Sequence, residues 1–258
     1  MAVYQDDFPI VSAEKLSDTV FDFKVSCPQL ASDAFPGQFI HVICSAEKLL
    51  RRPISICEID KTNSTIRFVF EQRGEGTRLL SGKKAGDTLN ILGPLGKGFT
   101  ALYAYDSAVV VGGGIGVPPL LEVAKSFNGA CDAILGFRNS EAAILIDDFF
   151  DVCGDVSVTT DDGSLGTHGF VTDVLRKRLE NDPPQVIAAC GPTIMLKNVA
   201  ALAKMYNVDC YVSLEERMGC GVGACLVCAC RTRDENGDIK HSHVCSDGPV
   251  FNAEEVAF

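Results

Sequence analysis

From Val3 to about Thr100, short runs of β-branched and aromatic residues are separated by turn residues. F-D-F-K-V (21–25), Q-F-I-H-V-I (38–43), I-S-I-C-E-I (54–59) and T-I-R-F-V-F (65–70) have the composition of strands. Pro36-Gly37, Lys61–Ser64 and Gly82–Gly86 supply turns between them. Repeated short strands with such punctuation predict an antiparallel β-barrel or sandwich. Past Thr100 the rhythm changes. S-A-V-V-V-G-G-G-I-G (107–116) reads as a buried strand running into a glycine turn, and P-P-L-L-E-V-A-K-S-F as the helix after it. Strand-like 133–137, 156–160, 186–190 and 208–214 alternate with helix-like 140–149, 169–179 and 192–206. That alternation predicts a parallel α/β sheet. The remainder is rich in glycine and cysteine and holds little that could pack a core alone. It is expected to fold around a metal centre, whose binding free energy then serves as folding free energy. The expected units are 1–100, 101–213 and 214–258.

Composition narrows the function classes. The chain has 34 acidic against 23 basic residues, a formal charge of −11. Such a surface repels phosphate backbones, and no basic stripe offsets it, so no nucleic-acid partner is expected. The first residues carry no basic segment followed by an apolar one, so no secretory leader is expected and the location is taken as cytoplasmic. The mainly apolar window Ala108–Leu121 is interrupted by glycines and prolines and is too short to span a bilayer, so no membrane is expected.

Twelve cysteines are many for 258 residues. Cys27, Cys44, Cys57, Cys131, Cys153, Cys190 and Cys210 are scattered and read as small buried hydrophobes. The others crowd into one stretch. Cys220, Cys225 and Cys228 follow C-x4-C-x2-C, and Cys245 stands alone further on. This is the thiolate layout of a plant-type 2Fe–2S centre. Gly219, Gly221 and Gly223 would let the loop turn tightly and aim backbone N–H groups at the sulfurs. The competing reading is a structural zinc site, though zinc ribbons pair their ligands as two C-x2-C clips. Cys230 is surplus to the spacing and reads as a bystander. His241 and His243 form no C-x-H pair and read as solvated polar positions.

Upstream, L-R-R-P-I-S-I (50–56) places Arg52 and Ser55 on one predicted strand, where a guanidinium fork can meet a pyrophosphate. G-E-G-T-R-L-L (74–80) places Gly76 and Thr77 at a helix start, with backbone N–H groups available to an anion. Together they point to a flavin. V-V-V-G-G-G-I-G-V-P-P-L has the strand–turn–helix context of a dinucleotide turn but not the full fingerprint. A-C-G-P-T-I-M-L (189–196) is a second turn of that kind, and the two suggest a shallow nicotinamide-nucleotide site shared with the flavin. Cys190 could approach the nicotinamide or be a buried thiol. The sequence contains no G-x-S-x-G, H-E-x-x-H or P-loop, and Asp147-Asp148 and Asp161-Asp162 read as ordinary loop and helix-end charges. No catalytic acid–base residue is assigned.

The order barrel, α/β unit and cysteine tail resembles a ferredoxin–NADP reductase module with an appended 2Fe–2S domain. L-R-R-P-I-S-I, G-E-G-T, L-G-P-L-G-K-G-F, V-G-G-G-I-G-V-P-P-L, T-D-D-G-S-L-G-T-H-G, C-G-P-T-I-M-L, S-L-E-E-R-M-G-C-G-V-G-A-C and C-S-D-G-P-V-F are similar to the electron-transfer subunits of NAD-dependent, class B dihydroorotate dehydrogenases. The resemblance implies an FAD, a 2Fe–2S cluster on Cys220, Cys225, Cys228 and Cys245, and NAD as exchanging co-substrate. It implies a role in pyrimidine biosynthesis, with an FMN-containing catalytic subunit as partner in a two-plus-two heterotetramer. Arg52, Pro53, Ile54 and Ser55 match its first FAD segment, Val69, Phe70 and Glu71 fall at its second, and Gly76 and Thr77 at its third. The second segment departs from the family's aromatic–Arg pair at Phe70-Glu71, with Arg73 nearby as a substitute cation. Two alternatives stay open: a flavin/iron–sulfur subunit of a ferredoxin- or sulfide-linked NAD(P)H oxidoreductase, and a zinc-stapled interaction module.

Overall fold

The computed structural model describes residues 2–45, 47–48 and 50–258. Strand β1 (Tyr4–Lys15) leads by a tight turn into β2 (Val20–Ser26), and helix α1 (Pro28–Asp33) crosses to β3 (Phe39–Val42). Next come β4 (Arg52–Asp60), β5 (Thr65–Glu71), helix α2 (Glu75–Ser81) and β6 (Thr88–Leu95). These six strands close a barrel in the order β1-β2-β5-β4-β3-β6, with every pairing antiparallel. Closure leaves no open edge. Phe23, Val25, Ile40, Ile56, Ile66, Phe68 and Ile91 fill the barrel as inward positions of alternating strands, and Phe23 meets Phe70 edge-on at 5.2 Å.

The second layer begins with β7 (Ala108–Gly113), α3 (Leu121–Lys125), β8 (Cys131–Phe137), α4 (Ile146–Phe150), β9 (Val156–Thr160) and β10 (Thr167–His168). It continues with α5 (Val171–Asn181), β11 (Val186–Cys190), α6 (Thr193–Met205) and β12 (Asp209–Ser213). The sheet order is β10-β9-β8-β7-β11-β12, parallel throughout, with one more strand at the β12 edge. Buried on both faces, β7 and β11 are unbroken apolar runs, as parallel central strands require. α5 and α6 cover one face, while α3 and α4 pack with barrel residues Val20, Cys57 and Val69 on the other.

The helix expected over 140–149 is not one helix. A single 3-10 turn spans Ser140–Ala142, and Leu145 takes a left-handed φ of 60° before α4. The helix expected after the glycine turn likewise starts as a 3-10 turn at Pro118–Leu120, ahead of α3.

The C-terminal stretch forms a hairpin, β13 (Ala229–Arg233) with β14 (Ile239–His243), followed by β15 (Val250–Asn252). β15 is the added edge strand and runs antiparallel to β12, with Val212 opposite Phe251. Cys228, Cys230, Val244, Cys245 and Phe251 share a core with Phe39 and Leu95 of the barrel. The tail is therefore built into both layers. Among the described residues no helix is long and apolar enough to cross a membrane.

Candidate functional site

The cysteine loop is shaped by its glycines. Gly221 and Gly223 adopt φ of 75° and 84°, which a residue with a β-carbon rarely does, and Leu226 also turns left-handed at 62°. Those turns point amides inward. Val222 N–H and Ala224 N–H donate to Cys220 Sγ at 3.4 and 3.2 Å, and Gly223 N–H donates to Cys245 Sγ at 3.1 Å. Cys220 N–H donates to Cys225 Sγ at 3.3 Å, and Cys245 N–H to Cys228 Sγ at 3.4 Å.

The last two bonds tie the four cysteines into two pairs, Cys220 with Cys225 and Cys228 with Cys245. Two thiolates for each of two irons is the donor set a 2Fe–2S cluster takes, so the residues fit that group. Burial opposes ionisation at Cys220, yet the N–H donors outweigh it and push the thiol down to about 6. Burial, together with the Cys228 thiol, pushes Cys245 up to about 12. Cys225 is exposed and Cys220 half-buried, whereas Cys228 and Cys245 lie inside. One pair thus faces the surface and the other faces the barrel. Cys230 is buried and His241 exposed.

A cleft of about 220 Å³ opens between the barrel and the sheet. Arg52, Pro53, Ile54 and Ser55 on β4, Val69, Phe70 and Glu71 at the end of β5, and Thr77 on α2 all line it. Gly76 does not line it but lies directly under the Arg52 guanidinium. Thr77 Oγ1 accepts N–H bonds from Arg73 and Gly74 and so closes the start of α2. Glu71 is held by Arg73, Nε to Oε2 at 2.5 Å, and Arg73 also lines the cleft. A cation thus stands at the cleft two residues after Glu71.

The opposite wall was not read from the sequence. Ile115 and Pro119 come from the turn after β7, and Ser213, Leu214, Glu215, Glu216 and Met218 from the strand end of β12. Their signal was S-L-E-E-R-M immediately before the cysteines. Burial raises the Glu215 carboxyl above its ordinary range. Only one residue separates Met218, in the cleft wall, from Cys220.

The two strand-to-helix turns meet because β7 and β11 are neighbours, with Cys190 opposite Gly112. A β-carbon at Gly116 would fall 2.5 Å from the Cys190 carbonyl oxygen, so only glycine allows that approach. Cys190 itself is 1% exposed. Burial pushes its thiol up to about 12, so it is a neutral packed group. The scattered Cys27, Cys44, Cys57, Cys131 and Cys210 are buried too, and Cys153 is half-buried.

A family model for the iron–sulfur cluster binding domain of dihydroorotate dehydrogenase B matches residues 215–257. The electron transfer subunit of dihydroorotate dehydrogenase B (NAD(+)) from Bacillus caldolyticus is 44% identical over 256 residues, 96% of each chain. Its counterpart from Enterococcus faecalis strain ATCC 47077 / OG1RF is 39% identical over 259 residues, 98% of each chain. A solved structure of an NADH-dependent reduced ferredoxin-NADP oxidoreductase superposes with a TM-score of 0.84 at 33% identity, over 96% of this chain and 89% of the other. A ferredoxin reductase of carbazole 1,9a-dioxygenase superposes at 0.61 and 18% identity, over 80% and 66%, a likeness of fold alone.

Proposed function

This chain belongs to the family of electron-transfer subunits of dihydroorotate dehydrogenase B, and from that premise we propose how its residues carry out the transfer. The subunit binds FAD and a 2Fe–2S cluster and passes electrons from dihydroorotate oxidation to NAD+. In this reading Cys220, Cys225, Cys228 and Cys245 are the cluster ligands. Arg52, Pro53, Ile54, Ser55, Val69, Phe70, Glu71, Gly76 and Thr77 are the FAD contacts, and the barrel, α/β sheet and tail are the three units 1–100, 101–213 and 214–258. The cluster supplies one-electron steps, FAD the exchange between one and two electrons, and the protein binds and orients both.

The observation that carries this reading is continuity. Met218 stands in the wall of the cleft and Cys220 begins the thiolate loop, so both cofactor sites share one short segment. Arg52 offers a guanidinium fork to a pyrophosphate, while Pro53, Ile54 and Phe70 give the ring system an apolar bed. The N–H groups of Val222, Gly223 and Ala224 stabilise negative sulfur and so favour cluster reduction. No residue of this chain is assigned acid–base work on dihydroorotate, whose oxidation falls to an FMN-containing catalytic partner. A two-plus-two heterotetramer in the cytoplasm is the proposed assembly, with the surface pair Cys220 and Cys225 toward the partner.

The test is reconstitution. The purified chain is expected to carry FAD, iron and acid-labile sulfide, and with the FMN subunit of its own organism to reduce NAD+ with dihydroorotate. A colourless zinc protein would overturn the reading. A second reading is favoured by the 33% identity to the ferredoxin-linked oxidoreductase. A chain that holds both cofactors but couples only to a ferredoxin-dependent partner would establish it.

A further inference from the structure

His41 lies on β3 with no solvent exposure. Neither of its ring nitrogens has a hydrogen-bond partner among the described residues. A buried polar group without a partner costs about 1–3 kcal/mol, so an orphaned imidazole in a barrel wall calls for a reason. Its surroundings supply one. A β-carbon at Gly221 would fall 2.6 Å from His41 Nδ1 and 3.2 Å from Cε1. Gly221 is the residue after Cys220, and its φ of 75° already demands glycine. The loop backbone therefore lies flat on the imidazole, and any side chain there would drive the ring away. Burial first, and then the Arg51 charge, lower the His41 pKa to about 4 against a smaller opposing pull from the Cys220 backbone, so the ring is neutral.

The same residue touches the flavin side. On the barrel sheet His41 pairs with Pro53, in the first flavin segment, and its carbonyl accepts from Arg51 at 3.0 Å. Neutral imidazole carries one N–H and one lone pair. Hydrogen bonds to the sulfurs and their loop are a main lever on cluster potential.

We propose that His41 is a positioning residue of the iron–sulfur centre: its ring N–H is the donor that meets the Cys220–Gly221 turn when the loop is closed on its cluster, and it holds the cluster's potential up. This rests on the reading of Cys220, Cys225, Cys228 and Cys245 as cluster ligands. A donor at the loop stabilises the extra negative charge of the reduced centre, so removing it shifts the midpoint to more negative values. A ring that only fills space would shift nothing when replaced by an apolar side chain of similar volume.

The experiment uses the full chain in complex with its FMN subunit. Iron and acid-labile sulfide are counted, the reduced cluster's electron paramagnetic resonance is recorded, and its midpoint is titrated. His41→Leu is expected to keep the wild-type iron content, change the g values and move the midpoint negative. His41→Gln, which restores an N–H donor, is expected to move both back toward wild type. An unchanged midpoint and spectrum in His41→Leu overturns the proposal, and so do equal shifts in both variants. If His41→Leu does not accumulate, His41→Met, of similar volume and without an N–H donor, must move the midpoint negative, and an unchanged midpoint there overturns the proposal. An iron-free wild-type chain overturns the cluster reading itself, an outcome separate from all of these.

Discussion

Gly76 and Arg52 are packed so closely that a β-carbon on the glycine would lie 2.9 Å from the guanidinium Nε and 3.0 Å from Nη2. The first turn of α2 thus serves as the floor on which the proposed pyrophosphate cation rests. Gly76→Ala is expected to lift Arg52 out of the cleft. A hydrogen bond to a charged group is worth roughly 1.5–3 kcal/mol, so FAD affinity should fall about 10- to 100-fold. Titration of the apoprotein with FAD, followed by flavin fluorescence, checks this. Unchanged affinity would remove Arg52 from the flavin contacts.

Cys225 and Cys230 are predicted to differ sharply. Cys225 belongs to the surface sulfur pair, accepting from Cys220 N–H. Cys230 sits in the small core shared with Phe39 and Phe251. Cys225→Ser should abolish the cluster's visible absorbance and transfer to the partner while NADH still reduces bound FAD. Cys230→Ala should keep the cluster spectrum. A cluster spectrum retained in Cys225→Ser would show the ligand assignment to be wrong.

Arg67 holds the two layers together. Its guanidinium on β5 pairs with Asp22 at 2.8 Å, approaches Glu58 at 3.6 Å and reaches Asp148 on α4 across the layer boundary. The side chain is only 14% exposed. Arg67→Ala leaves three carboxylates facing one another, a loss of about 3–5 kcal/mol by the rule for breaking buried pairs. Thermal unfolding should show it as a large drop in Tm, and Asp148→Asn should cost distinctly less.

Glu58 gives the interface an acid limit. Burial tends to raise its pKa, but the hydrogen bond from Lys125 at 2.6 Å and the charges of Lys125 and Arg67 prevail and hold the carboxyl below its ordinary range. A carboxylate lowered in the folded state contributes fully above its unfolded pKa of about 4.3 and loses that contribution as pH falls through the folded value. Glu58→Gln should therefore unfold at a lower temperature than wild type at neutral pH. The gap should narrow as the pH is taken below about 4, and a constant gap would dissociate Glu58 from the acid limb.

Local information made much of this protein legible in advance. Strand runs in the barrel, the alternation that follows and the C-x4-C-x2-C spacing each lie within a few residues of chain. Periodicity and turn chemistry act over that same distance. The segments on β4 and α2 that border the cleft were readable for the same reason, while the one on β5 was placed only by the family resemblance. Where two prolines and a left-handed Leu145 interrupted the helical pattern, propensity lost to local backbone sterics.

Residues far apart in sequence were another matter. That β15 would complete the sheet beside β12 and that Ser213–Met218 would wall the cleft opposite β4 and β5 depended on how the layers stack. So did the meeting of His41 with Gly221, separated by most of the chain. Side-chain spacing along one element is set by helix and strand geometry, which the sequence carries by itself. Which faces come together is set by closing the barrel, burying both sheet faces and fitting the cysteine tail between them, and only the tertiary structure decides that.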